Sequence, residues 1–483
     1  MQMLIDSELK HASDDEVIEV FNPATGEKID TVPKGNLSDI KQAVYAAQQA
    51  RERMCRMPAY ERANILYKTA QSMEDMREEL ARLLTQENGK PITQTREEMN
   101  AAIRIFRGFA EESKRLFGRA SSLDMVQGME KHFAVTIRQP VGVVAAIVPF
   151  NYPVELYSHK AAAALAAGNA VIVKPPSDCP LALLKIAMLI EDAGIPRAAH
   201  QMVTGSGELI GEFLAQSHDI QMITLTGSAE AGTRVSELAA NSLKKVHLEL
   251  GGNDPMIICA DADLEKAADA VILGRLARGN GQICCAVKRV LVDSEVYNNF
   301  SEILAEKTGA LKVGDPMEEE TDVGPVINEK AAIRVESRIK EAVENGAKLT
   351  TGGNRHGAFI DPAVLINVPA DTGLFCEETF GPVAPLVSFK SIEDAVDMAN
   401  HSPYGLQSAV FTNDFSRALN IAYRLNAGGV IVNWSSAVRV ENLPFGGVKM
   451  SGHGRESIHD TLLEMTEQKS VLLYDVLSVF HSP

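Results

Sequence analysis

From residue 141 the sequence alternates short, nearly continuous apolar runs with helix-forming stretches, and each run ends in polar or glycine residues. The runs 143–150, 170–174, 201–205, 222–227 and 245–250 are predicted strands. Residues 153–167 and 180–193 are predicted helices, the second opened by a proline as helices prefer. Strands without polar alternation must be covered on both faces, which predicts a parallel sheet between helical layers. The fold class is therefore α/β, with a doubly wound, dinucleotide-type domain whose ligand sits beyond the carboxyl ends of the strands. Those ends carry Asn151, Lys174, Gly205, Gly227, Ser228, Glu249 and Gly251.

The second half repeats the alternation: strands at 256–259 and 287–292, helices at 263–278 and 294–311. It predicts a second α/β domain. Before the first strand, residues 37–119 follow helical periodicity, with Ile103, Phe106, Phe109 and Ala110 on one face of a helix over 100–117. Residues 131–138 and 469–479 are strand-like, suited to a sheet edge of this chain or of a second subunit.

With 45% hydrophobic residues the chain can bury a large core, and its net charge of −17 disfavours nucleic acid and acidic lipid. The first residues lack the apolar core of a signal peptide, and no apolar run is long enough to span a membrane. Six cysteines without disulfide or zinc spacing imply a reducing, cytoplasmic setting and no metal.

Some residues could carry chemistry, each beside a plainer alternative. Cys284 and Cys285 follow Gly279 and Gly281, so a thiol can be presented to a ligand, or both can be buried loop cysteines. Glu249 ends an apolar strand, where burial would raise its pKa towards general-base use, or it reaches water. Asn151, between prolines at 149 and 153, suits an oxyanion donor or a helix cap. The turns at Gly205–Gly207 and Gly227–Ser228 each open a helix and offer bare N–H groups to phosphate, or are ordinary turns. Lys174 suits a phosphate or ribose, or solvent.

Taken in order, the segments PFNYP (149–153), NAVIVKPPSD (169–178), LTGSAEAG (225–232), LELGG (248–252), GQICCA (281–286), EETFGP (377–382) and PFGGVKMSGHGRE (444–456) resemble the aldehyde dehydrogenase superfamily along essentially the whole chain. The resemblance implies that Cys284 is the nucleophile, that Asn151 and the Cys284 N–H hold the oxyanion, and that Glu249 activates water, with Lys160 and Glu456 moving its proton away. It implies NAD or NADP as cofactor, with Lys174 on the adenosine ribose, Gly207, Gly227, Ser228 and Gly251 in the contacting turns, and Glu378 and Phe380 at the nicotinamide end. Asn433 falls in the substrate-side loop. The expected domains are 1–122 with 142–249 for the cofactor, 250–449 for catalysis, 123–141 with 467–483 as an oligomerisation arm, and 450–466 as the return connection. A homodimer or homotetramer follows.

Departures from the family pattern refine this. Relatives that prefer NAD often carry Glu where this chain has Ser177; serine does not repel a 2′-phosphate, so NADP is expected to be tolerated or preferred, with Asp178 next door opposing. Tyr152, Glu155, Arg107, Cys285 and Arg439 are candidate substrate residues for a small polar or anionic aldehyde; the arginines serve equally as ion-pair partners. The competing activities are CoA-acylating dehydrogenation, cysteine-dependent ester cleavage and a purely structural role.

Overall fold

The computed structural model describes residues 1–477. The predicted strands form the centre of one sheet, in the spatial order His200–Met202, Ala170–Lys174, Val143–Ile147, Met222–Thr226, Lys245–Glu249, all parallel. The chain winds outward from Val143–Ile147 on one side, then returns to build on the other. That reversal opens a crevice between the ends of Val143–Ile147 and Met222–Thr226. Every residue of Ala170–Lys174 and Met222–Thr226 is buried, which is the physical reason these runs show no polar alternation. Short antiparallel strands close the edges: Met3–Ile5 and Glu8–Lys10 at one, Gly452–His453 at the other.

The helix Pro153–Ala167 is buried at every position except Glu155, as its Ala-rich sequence requires of a helix packed on all sides. Its neighbour, Ile92–Ser113, buries Ile103, Phe106, Phe109 and Ala110 as the periodicity predicted, but it begins earlier and ends four residues before Phe117.

A second sheet runs Lys348–Thr351, Ala363–Ile366, Val383–Phe389, Val287–Asp293, Asp254–Ile258, Gln407–Phe411, Gly429–Val432, parallel except at its first pair. The helix predicted over 263–278 is not regular. Leu264–Val271 is α-helical and Ile272–Ala277 widens into a π-helix; a tight turn follows, with Gly279 and Asn280 at φ of 59° and 53°. Asn280 tolerates the left-handed region because its amide is fully engaged. Nδ2 donates to the carbonyls of Gly89 and Pro325, and Oδ1 accepts from Gly324 N–H. This turn delivers Cys284.

Thr466–Leu473 pairs antiparallel with Phe133–Pro140, so both strand-like segments meet within the same chain. Ala120–Ser122 adds a third strand to that sheet. The end of the expected terminal strand, 478–479, lies outside the described residues, as does 480–483. Among the described residues no helix is long and apolar enough to cross a membrane.

Candidate active site

A cavity of about 450 Å³ occupies the crevice at the reversal point. Asn151 enters from one strand end, Gly227 and Ser228 from the other, and Cys284, Glu378 and Phe380 from the second sheet. Two chain halves thus contribute to one lining, and the predicted thiol and the predicted amide share the cavity.

Asn151 is not a helix cap. Tyr152 occupies that position and makes no side-chain cap bond. The exposed N–H groups of the helix are taken by Glu98, whose Oε1 accepts from Val154 N–H at 2.8 Å and Glu155 N–H at 3.2 Å. Glu98 is paired with Lys90, both fully buried, and Lys90 Nζ donates to the Asn151 carbonyl at 2.9 Å. Asn88 Nδ2 holds the Phe150 carbonyl at 2.6 Å. The backbone of Asn151 is therefore fixed from neighbouring helices while its amide stays available to the cavity.

Cys284 is partly exposed to the cavity and Cys285 is buried behind it. The hydrogen bond between the adjacent thiols and then burial hold the Cys284 proton on, and the same bond eases ionisation of Cys285. Lys288, which sequence reading missed, donates to the Cys284 carbonyl and forms a 2.8 Å ion pair with Glu378. Its positive charge favours a thiolate. Glu378 also accepts from Gly252 N–H at 3.1 Å. A side chain at Gly251 would collide with the Glu378 carboxylate, so only glycine leaves this wall open. Phe380 sits edge-on to Phe150 at 6.0 Å.

Behind this cavity lies a buried ionic cluster. Lys160 pairs with Glu456 at 3.1 Å, Arg439 pairs with the other Glu456 oxygen at 2.6 Å, and Glu155 lies 3.9 Å from Arg439. Burial opposes the Glu456 charge, but Lys160 and Arg439 outweigh it and hold the carboxyl well below the usual carboxylate range. Burial raises Glu155 and Glu249. The Glu249 carboxylate is directed to this cluster; neither of its oxygens has a hydrogen-bond partner.

At the carboxyl end of the adjacent strand Ala170–Lys174, Lys174 Nζ donates to Ser177 Oγ at 3.4 Å, and Ser177 donates to the Gly205 carbonyl at 3.1 Å. A methyl group at Gly207 would lie 3.6 Å from Lys174 Nζ, so the ammonium stands at the bare start of that helix. Burial lowers the Lys174 pKa to about 8. Asp178 accepts from Asn328 Nδ2 at 3.1 Å, lines the same cavity as Ser177, and its charge opposes the lowering of the Lys174 pKa. Ser206 and Ser228 cap their helices. Lys174, Ser177 and Gly207 lie outside the lining of the Cys284 cavity; with Glu378 inside it and helix starts at Gly207 and Ala229, the arrangement suits a dinucleotide. The Thr379 hydroxyl, buried in the wall and unpartnered, is free to meet it.

A second cavity, of about 520 Å³, is lined by Tyr152, Glu155, Arg278 and Arg439. Two arginine expectations need correction here. Arg107 is absent from this wall; it is half-exposed and paired with Glu74 at 2.5 Å, its helix position directing it to the neighbouring helix. Arg439 does reach the cavity, but its charge is committed to Glu456 and it stacks 4.8 Å from Phe445. Arg104 is likewise bound to Glu441 at 2.7 Å. Arg278 was missed. It donates to the Ala437 carbonyl and lies 5.8 Å from the Tyr152 ring. Among the arginines of this wall it alone has no carboxylate within ion-pair distance, counting the described residues. Asn433 bonds the Thr412 backbone at both ends of its amide, which makes it a loop brace. Among the described residues no group of three or more His, Cys, Asp or Glu could hold a metal.

Comparison with known proteins agrees with this geometry. The model of the aldehyde dehydrogenase family matches residues 10–471. A 3-sulfolactaldehyde dehydrogenase of Priestia megaterium is 42% identical over 458 residues, covering 95% of each chain. A lactaldehyde dehydrogenase of Methanococcus maripaludis is 38% identical over 463 residues, covering 95% of this chain and 97% of its own. A solved E. coli NADP-dependent enzyme superposes with a TM-score of 0.95 at 37% identity, covering 98% of both. The chain belongs to the aldehyde dehydrogenase family and is an NAD(P)-dependent oxidoreductase acting on aldehydes.

Proposed function

We propose that this protein oxidises a small polar or anionic aldehyde to its carboxylate, with Cys284 as nucleophile and Glu249 as general base. The observation that carries this reading is the convergence of Cys284, Asn151 and Glu378 on one cavity, with the Glu249 carboxylate buried beyond its wall.

The Cys284 thiolate, favoured by Lys288, attacks the aldehyde carbon, and the Asn151 amide with the Cys284 N–H stabilises the resulting oxyanion. A bound nicotinamide supplies the hydride acceptor. Lys174 and Ser177, beside the bare helix start at Gly207, would hold the cofactor at its adenosine end, Glu378 and Phe380 would hold the other, and Gly227, Ser228 and Gly251 line the cavity it would enter. Glu249 then takes a proton from water, whose oxygen attacks the thioester carbon and breaks the C–S bond. Glu456, held by the Lys160 ammonium, is the acceptor towards which that proton then leaves. A base at 249 favours water over CoA as the acyl acceptor.

The 2′-phosphate of NADP would meet Lys174 and Ser177, with the neighbouring Asp178 carboxylate bonded to Asn328 and opposing, so NADP is tolerated. Arg278, the arginine of this wall without an ion-pair partner among the described residues, suits an anionic substrate tail, and Tyr152, Glu155, Cys285 and Arg439 shape its surroundings. The relatives named for sulfolactaldehyde and lactaldehyde lend support to this substrate class. The strand pair at Phe133–Pro140 and Thr466–Leu473 provides an arm for a homodimer or homotetramer, and six free cysteines suit the cytoplasm.

Rapid mixing with aldehyde and NADP tests the chemistry. Cys284→Ala should form no NADPH. Glu249→Gln should release one equivalent and then stall. Normal steady-state turnover of Glu249→Gln, or a strict need for CoA, would refute the hydrolytic reading.

A further inference from the structure

His247 stands two residues before Glu249 on the same face of the strand Lys245–Glu249, and it is 1% exposed. Its Nδ1 donates to Glu464, whose side chain reaches the surface, and its Nε2 faces Glu249 Oε1 at 3.5 Å. Neither of those facing atoms has a hydrogen-bond partner, so they address each other only across that 3.5 Å gap. Two glycines make room for the arrangement. A Cβ at Gly454 would come within 2.5 Å of His247 Nδ1, and one at Gly446 within 2.8 Å of Glu249 Oε1. Both have positive φ, so backbone and side-chain space coincide in requiring glycine.

We propose that His247, clamped by Glu464 on one side and facing Glu249 on the other, is a positioning residue that keeps the general base ionised in its buried site. The inference rests on the reading of Glu249 as that base. A carboxylate without hydrogen-bond donors, removed from water, is driven towards its neutral form, in which it cannot take a proton. The nearest cations set the outcome. Lys160 and Arg439 are engaged by Glu456, which itself repels a charge on Glu249, and burial keeps the neighbouring His159 neutral. Arg455 directs its guanidinium to the carbonyls of Gly447 and Gly454. His247 is the cation that addresses Glu249 directly. Burial works against its charge, but the carboxylates of Glu249 and Glu464 on either side raise its pKa to about 9. The ring is therefore an imidazolium at neutral pH and loses its proton as pH rises through about 9. While charged it lowers the proton affinity of Glu249, so the proton taken from water is released again in each cycle.

The test compares pH profiles of steady-state turnover and of the NADPH burst for wild type, His247→Gln, Glu464→Gln and Glu249→Gln. In His247→Gln the acid limb of turnover should move up by about one pH unit or more, since one unit corresponds to the loss of a single close charge interaction. Turnover below that limb should fall about tenfold, recovering at higher pH, with burst size and aldehyde KM retained. Glu464→Gln, altered near the surface, should shift the limb in the same direction by less. Unchanged limbs in both variants, with Glu249→Gln stalled after its burst, would overturn the role of His247 alone. Normal turnover of Glu249→Gln would overturn the base assignment and this inference together. If His247→Gln does not fold, the Glu464→Gln profile decides: a shifted limb supports the proposal and an unshifted one overturns it.

Discussion

Replacing Lys90 with Met tests the claim that the buried Lys90–Glu98 pair holds the oxyanion donor. Both side chains are at most 1% exposed, so water cannot replace the lost partner. Methionine fills similar space but leaves Glu98 charged among two backbone donors and no cation. Removing one member of a buried pair costs about 3–5 kcal/mol. At roughly 2–4 °C per kcal/mol for a domain of this kind, the melting temperature should fall by roughly 6–20 °C. Catalysis should suffer separately, because Lys90 also restrains the Asn151 carbonyl. A displaced oxyanion donor can cost up to about 10²–10³ in rate, so the single-turnover rate of NADPH formation should fall by about tenfold or more. The double variant Lys90→Met/Glu98→Gln removes the orphaned charge, while the amide oxygen of the new glutamine can still accept from the first N–H groups of the helix. It should recover most of the stability but not the rate. Scanning calorimetry and rapid-mixing fluorescence report the two quantities. A Lys90→Met protein that melts within about 2 °C of wild type and reacts at the same rate would refute the argument.

Arg278→Ala should raise KM for an anionic aldehyde by about 10–100-fold, the worth of a charged hydrogen bond, and barely change it for a neutral aldehyde of equal size; equal changes would make Arg278 structural. Ser177→Glu should lower kcat/KM for NADP by about tenfold or more and spare NAD, through repulsion of the 2′-phosphate; no change in the cofactor ratio would detach Ser177 from the ribose. Lys174, with its pKa lowered to about 8, is charged below that pH and neutral above it, so KM for NADP should rise as pH passes about 8 in steady-state titrations, and a flat profile counts against its phosphate role.

Local pattern along the chain was enough for the parallel sheet, because strands buried on both faces must be apolar throughout; for Asn151 and Cys284 it left a plainer alternative open, and Glu378 came only with the resemblance of the ordered segments. Which charges are spent and which are free was settled only by packing between distant elements. Along the chain Arg107 and Arg439 read equally as substrate cations or as ion-pair members, and the partners that decide it, Glu74 and Glu456, arrive from other elements. Lys90, Glu98 and Arg278 sit on or beside helices whose periodicity marks them only as polar, and Lys288 lies within an apolar strand without a motif. His247 left a faint local signal, its two-residue spacing from Glu249, but Glu464 is 217 positions away. The nature of a side chain is local; the desolvation and the counter-charge that set what it does come from whatever the fold packs beside it.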